Sequence, residues 1–346
     1  MIHQKVEFNK QSPKKKKLLV LSPNPEDATA FYRSAGVFSA MRYPNWDIKI
    51  NKKDDGVGWI DVAETDVLCF QRPFAAQDRL TAEVALSFGK KIWIDFDDNL
   101  VNGVPKSNQF HDVYNDPRTL EIINHMIHRA HVITVSTQAI GDALEVFQAG
   151  CKEKTVVIPN AWNDLLFKWD KKKFEPYQNI LWRGSKSHHE DLEIHESQIA
   201  EAQKLMPDWN WYFVGEPHWS IYRAIPANRL FVVPPMNLVK YFNFMRQLKI
   251  GVNIVPLQDT PLSRGRSNIA WIESTLGGAV TVAPDWAEWQ RPGITNYQPG
   301  GLALGIERAS NDMENLYNQS WESLQKLRLS KINHQRFKIM EGLTRA

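Results

Sequence analysis

Only two cysteines, Cys69 and Cys151, occur in 346 residues. They are too few for a disulfide framework, and Cys69 lies in a strand-like run where a buried free thiol is expected. Long hydrophobic runs are also missing. The longest are strand-sized, such as residues 18–21, so no membrane-spanning segment is expected. An excess of one charge is absent too, because 42 Lys and Arg against 39 Asp and Glu leave a net charge of only +3. That balance neither argues for a nucleic-acid binder nor excludes one. The basic run at residues 14–17 precedes the first apolar stretch, so the opening lacks the apolar core of a signal peptide. The run reads as a solvated lead-in to a strand, and the expected compartment is the reducing cytoplasm.

What the chain has in plenty is alternation. Strand-like segments at residues 17–22, 46–50, 66–70, 91–95, 132–136 and 155–158 are interleaved with helix-like segments at 29–42, 79–88, 118–129 and 139–147. Residues 159–177 lose this rhythm and read as a linker. It restarts with strands at 179–182, 209–214, 230–233, 251–255 and 279–283 and helices at 189–205, 238–248 and 268–276. Such spacing means a parallel sheet covered on both faces, here twice. The expected fold class is α/β, with two doubly wound domains sharing one cleft at the carboxyl ends of their strands. The expected domains are 1–165, 178–310, and a C-terminal helical segment 311–346 that crosses back to the first. Thirteen tryptophans is a high count. Most are expected in the core, although indole faces also serve sugar and base sites.

Three constellations carry chemistry. Trp182-Arg183-Gly184-Ser185-Lys186-Ser187 ends the first strand of the second half, and its free backbone amides and two cations suit a diphosphate. An ordinary βα turn with solvated cations accounts for it equally well. Arg266 and Ser267 open a helix, where dipole and free N–H groups favour an anion. Glu273 falls nearly two turns later on a similar face, placed to accept from a ribose diol, and the bland alternative is a surface ion pair. Asp95, Asp97 and Asp98 follow the strand at 91–95. Three readings stay open for them: an Asx turn, a divalent-metal site of D-x-D type, or a catalytic base whose pKa crowding raises. His188, His189, Glu190, Asp191 and His195 have no second ligand cluster with spacing for a tetrahedron, so no metal site is expected there.

In order and type these residues resemble the GT-B glycosyltransferases. The Trp-Arg-Gly-Ser turn looks like their first donor-domain loop, and Asn253-Ile-Val-Pro-Leu257, Arg266, Glu273 and Gly277-Gly278 follow their donor motif. The resemblance implies a nucleotide-sugar donor, with Glu273 on the ribose, Arg183, Lys186 and Arg266 on the diphosphate, and Gly184, Ser185 and Ser267 completing its cradle. The nucleobase would rest on the loop containing Pro234 and Met236. Retaining members often place a further glutamate eight residues before the ribose-binding one. That position is Gly265, which points to an inverting reaction.

A narrower resemblance, through Pro235-Met-Asn-Leu-Val239, Trp271-Ile-Glu273 and the aspartates after Ile94, is to phage DNA β-glucosyltransferases. It implies UDP-glucose as donor, a 5-hydroxymethylated pyrimidine in DNA as acceptor, and an aspartate base, with Asp97 preferred over Asp98 and Asp95. GT-B enzymes generally need no obligatory metal, with magnesium an optional partner. DNA would meet the basic run at 14–17, Arg72 and Arg79, and the loop at 101–111 would wall an extruded base. Two alternatives are a glycan or glycolipid acceptor in surface polysaccharide synthesis, and a non-catalytic nucleotide-binding regulator.

Overall fold

The computed structural model describes residues 15–40, 43–106, 108 and 110–345. Lys14 of the basic run, residues 41 and 42 of the first expected helix, and residues 107 and 109 of the expected pocket loop lie outside them.

The first half builds a six-stranded sheet from β1 (Lys16–Ser22), β2 (Trp46–Lys52), β3 (Val67–Gln71), β4 (Lys91–Phe96), β5 (Val132–Val135) and β6 (Thr155–Val157), in the order β2-β1-β3-β4-β5-β6. The second builds another from β7 (Asn179–Gly184), β8 (Asn210–Gly215), β9 (Leu230–Val233), β10 (Val252–Ile254), β11 (Val280–Pro284) and β12 (Ile294–Tyr297), in the order β12-β11-β10-β7-β8-β9. Every pairing is parallel. Parallel strands are covered by helices on both faces, which is why β3, Val-Leu-Cys-Phe-Gln, is buried at all five positions. Trp93, Trp211, Trp271 and Trp289 are among the largest fully buried side chains, so these four indoles are core residues.

The winding reverses between β1 and β3 in one sheet and between β7 and β10 in the other. At such a point neighbouring connections leave on opposite faces, and a crevice opens beyond the carboxyl ends of the strands. The two crevices face each other. Tyr32 Oη donates to Glu273 Oε1 across the interface at 2.8 Å, Asn160 Nδ2 to Ser267 Oγ at 2.7 Å, and Thr137 Oγ1 to the Gly265 carbonyl at 3.2 Å. An aromatic cluster of Phe31, Phe167 and Phe242 packs behind them.

Four local features differ from the sequence-based expectation. The helix expected at 29–42 is broken at Ser34 into Ala28–Arg33 and Ala35–Ser39, and the one at 189–205 is broken at His195. β12 and the helix Leu302–Asn311 arise where no element was read. The loop expected to wall an extruded base instead has, among its described residues, Val101 and Val104 in the core and His111 Nδ1 2.6 Å from the Val104 carbonyl.

The C-terminal segment packs on both halves in turn. Helix Met313–Leu324 packs Leu324 against the second half, and the chain then runs beside the linker. There Trp162 N donates to the Leu327 carbonyl at 2.9 Å, and Leu329 N donates to the Trp162 carbonyl at 2.8 Å. Helix His334–Leu343 then buries Met340 against Leu18, Val20 and Trp93 of the first half. Glu341 accepts from Lys16 Nζ at 3.0 Å and Trp46 Nε1 at 2.7 Å. Among the described residues no helix is long and apolar enough to cross a membrane.

Candidate active site

The facing crevices enclose one cavity of about 520 Å³. Its second-half wall is built by the ends of β7, β8 and β10. β7 runs out through Trp182, Arg183 and Gly184 into Ser185, all lining the cavity. This turn is packed tightly on the end of β8, where Gly215 has φ +113° and a Cβ would sit 2.0 Å from the Gly184 carbonyl oxygen. Only glycine allows both that φ and that approach. From β10 the chain passes Val255–Leu257 to Arg266 and Ser267, and helix Ile269–Gly277 points its N-terminus into the cavity. Free N–H groups and two arginines thus converge where an anion would be stabilised.

The first-half wall is acidic. Arg72, at the end of β3, has φ +48°, the one positive φ outside glycine among the described residues. Its backbone N–H donates to the Asp95 carbonyl at 2.9 Å. Its guanidinium holds two carboxylates at once, reaching Asp97 through Nε and Nη2 and Asp98 through Nη2 at 2.8 Å. Asp98 also pairs across the cleft with Arg266 Nη1 at 3.2 Å. Burial holds the Asp97 carboxyl above the usual range, helped by the charge of Asp98 and opposed by Arg72. For Asp98 burial pushes the same way but is outweighed by Arg266, Arg72 and His188, so its carboxyl is held below that range.

Of the residues singled out from sequence, Arg183, Gly184, Ser185, Met236, Arg266, Ser267, Glu273, Asp97 and Asp98 line the cavity. Asp95, Lys186 and Pro234 do not. Asp95 turns into the core, where it accepts from Arg33 Nη2 at 2.6 Å and Nε at 3.0 Å and from Thr134 Oγ1 at 2.5 Å. Its alternation with Asp97 breaks because the strand ends between them. Lys186 faces out toward Glu216 at 3.6 Å, and Pro235 takes the place of Pro234 in the wall.

Glu273 is already occupied. It accepts from Tyr32 Oη and from Tyr241 Oη at 2.7 Å, and Arg183 Nε lies 2.6 Å from its Oε2 as an ion pair without hydrogen-bond alignment. Burial, with the Glu273 charge, pushes both tyrosine hydroxyls well above their ordinary value, so they stay protonated donors. Arg72, expected as a DNA contact, and His188, considered only as part of a metal cluster, both line the cavity, and the side chains that sequence reasoning missed are the two tyrosines. Arg72 was legible as a residue following a strand, like Asp97. Tyr32 lies 241 positions from Glu273, and no local signal links them.

The described lysines of the basic run expected to meet DNA do not line the cavity. Lys16 and Lys17 begin β1, at the amino end of the sheet and away from the cavity, paired with Glu341 and Glu64. Arg79 is exposed and pairs with Glu121 at 3.1 Å. No group of three or more His, Cys, Asp or Glu side chains that could hold a metal occurs among the described residues.

No protein-family model matches the chain, and no curated protein sequence matches it significantly. Solved structures do. HepE (Alr3699) of Anabaena, in complex with UDP, is 12% identical with a TM-score of 0.68, covering 95% of this chain and 100% of that one. A UDP-forming α,α-trehalose-phosphate synthase of Burkholderia xenovorans is 12% identical with a TM-score of 0.64, over 96% and 100%. An E. coli trehalose-6-phosphate protein bound with UDP-2-fluoroglucose is 12% identical with a TM-score of 0.61, over 96% and 99%. With two facing doubly wound domains, this chain has the GT-B fold.

Proposed function

We propose that the protein is a glycosyltransferase that moves a sugar from a UDP-sugar to an acceptor hydroxyl in the cleft between its two halves. The observation that carries this reading is the polarity of the cavity. Arg183, Arg266 and a helix N-terminus form one wall, and the paired carboxylates Asp97 and Asp98 form the other. The UDP complexes of structures sharing the fold support the same donor class. The diphosphate lies against the cationic wall, the uracil against Pro235 and Met236, and the ribose diol displaces a tyrosine from Glu273. Asp97, held high by burial, takes the acceptor proton, and the freed oxygen attacks the anomeric carbon through an oxocarbenium-like transition state. The cationic wall stabilises the leaving diphosphate.

An inverting course fits position 265. A Cβ on Gly265 would lie 3.0 Å from Asn99 Cβ and 3.3 Å from Ile140 Cγ1, a tight fit that any side chain there could adopt only if these neighbours gave way by a few tenths of an ångström. UDP-glucose is the donor we favour. For the acceptor we favour a glycan hydroxyl over a modified base, because Lys16 and Lys17 pair with Glu341 and Glu64 at the far end of the sheet and leave Arg72 as the expected DNA contact at the cavity. The test is a panel of UDP-sugars with oligosaccharides and hydroxymethylcytosine duplex, read by mass spectrometry. Hexose on an oligosaccharide is expected. A hexose adduct on the duplex alone moves the protein to the DNA class, and UDP binding without transfer or hydrolysis returns it to a regulator.

A further inference from the structure

His188 closes the short turn Lys186–His188 after Gly184 and lines the cavity. Its Nδ1 lies 2.8 Å from Asp191 Oδ2. Asp191 is buried, and its other oxygen accepts the Gln258 backbone N–H at 2.7 Å, from the segment that follows β10. The carboxylate is therefore pinned between the two strands of the second-half switch point. It fixes the imidazole with the proton on Nδ1 and the lone pair on Nε2. The ring also packs on Gly184, where a Cβ would come within 3.1 Å of His188 Cδ2.

The charged groups around this imidazole come from four elements. Arg183 stands at the end of β7, Arg266 before the helix Ile269–Gly277, Asp98 after β4, and Asp191 within the helix His189–Ile194. Lys186, from the same turn, is turned away to Glu216. Burial and then the charge of Arg266 hold the imidazole below its ordinary value, against Asp191, so it is neutral while the cavity contains no anion. A diphosphate placed on Arg183 and Arg266 would cancel the two cations that disfavour its protonation and leave Asp191 to favour it.

We propose that His188, oriented by Asp191, takes up a proton when the nucleotide-sugar binds and presents it from Nε2 to the diphosphate oxygen that departs with the sugar's bonding electrons. This rests on the donor reading above. In the transfer step the anomeric C–O bond breaks and its electron pair goes to that phosphate oxygen, which shares the imidazolium proton. The acceptor oxygen forms the new bond to the anomeric carbon, and its own proton goes to Asp97. His188 is then a catalytic acid touching the leaving group, and Asp191 a positioning residue acting through it.

The test is calorimetric titration of the full chain with UDP-glucose at pH 7 in buffers of different ionisation enthalpy. The diphosphate of UDP-glucose, esterified at both ends, does not itself titrate near neutrality, so the slope counts protons taken up by the protein. We expect about one proton per chain, none for His188→Gln, and markedly fewer for Asp191→Asn. In the unsubstituted protein, the His188 ring signal followed by NMR should titrate below neutrality alone and above it with UDP-glucose. Binding without proton uptake, or uptake that survives His188→Gln, overturns the proposal and leaves the donor reading standing. Failure of both UDP and UDP-glucose to bind overturns both.

Discussion

Replacing Asp98 with asparagine should tighten UDP binding, although the substitution removes a group from the binding cavity. Asp98 occupies Arg266 at 3.2 Å across the cleft, with the two side chains 16% and 21% exposed. A diphosphate must take Arg266 from it. The pair lies between exposed ion pairs, worth up to about 1 kcal/mol, and buried ones, whose rupture costs about 3–5 kcal/mol. Asp98 keeps Arg72 at 2.8 Å, which softens the cost of letting Arg266 go. A grip of about 1 kcal/mol follows, so Asp98→Asn should tighten UDP roughly fivefold. Arg266→Ala should weaken it, because charged hydrogen bonds worth about 1.5–3 kcal/mol are lost and only about 1 kcal/mol of competition disappears with them. In the Arg266→Ala background, adding Asp98→Asn should change nothing, since the competition has no object. Calorimetry on the four proteins of this cycle reads all three numbers. Weaker UDP binding by Asp98→Asn alone, or equal tightening in both backgrounds, would refute the reasoning.

Asp95→Asn should cost about 3–5 kcal/mol of stability by leaving Arg33 buried without its counter-charge. Urea unfolding measures it, and an unchanged midpoint would mean Asp95 is not a structural ion. Gly215→Ala should abolish UDP binding and lower stability by more than about 2 kcal/mol, because its Cβ would strike the Gly184 carbonyl and displace the first donor loop. Normal UDP affinity in a folded variant would count against that loop's role. Stability should fall on acidification below about pH 6.5. His188 and His195 are held below their ordinary value chiefly by burial, so the unfolded chain binds protons that the folded one refuses. The stabilisation is whole above that pH and is lost as pH drops through the folded values. Equal urea midpoints at pH 7.5 and 5.5 would contradict this.

Much of the fold was legible because parallel strands buried on both faces are short, nearly unbroken apolar runs, as Val67–Gln71 and Val280–Pro284 show. β12 was not, since Ile-Thr-Asn-Tyr at the sheet's edge is only half buried and carries two polar residues. The break at Ser34 escaped because apolar residues continue on both sides of it, while its backbone departs from helix at φ −131°, ψ −86°. In the site, the loops after β7 and before the helix Ile269–Gly277 announced themselves through glycine beside cations. Their partners did not. Which of three neighbouring aspartates turns inward depends on Arg33, and which carboxylate holds Arg266 depends on the other half of the molecule. Such choices are made by tertiary contacts that no window of sequence contains.

The chain passes between the halves twice, and the two passages lie side by side, joined where Trp162 bonds to Leu327 and Leu329. A single covalent thread would let the halves swivel freely. Two threads clamped together behave as the pin of a door: they resist twist while leaving the leaves free to swing about the pin. Any opening of the cleft would thereby be channelled into one rotation, and its return would bring Arg266 back opposite Asp98 and Glu273 back to Tyr32. The same doubling makes the molecule poorly divisible, because a cut after residue 165 would strip the first half of the helix His334–Leu343 that covers Leu18, Val20 and Trp93.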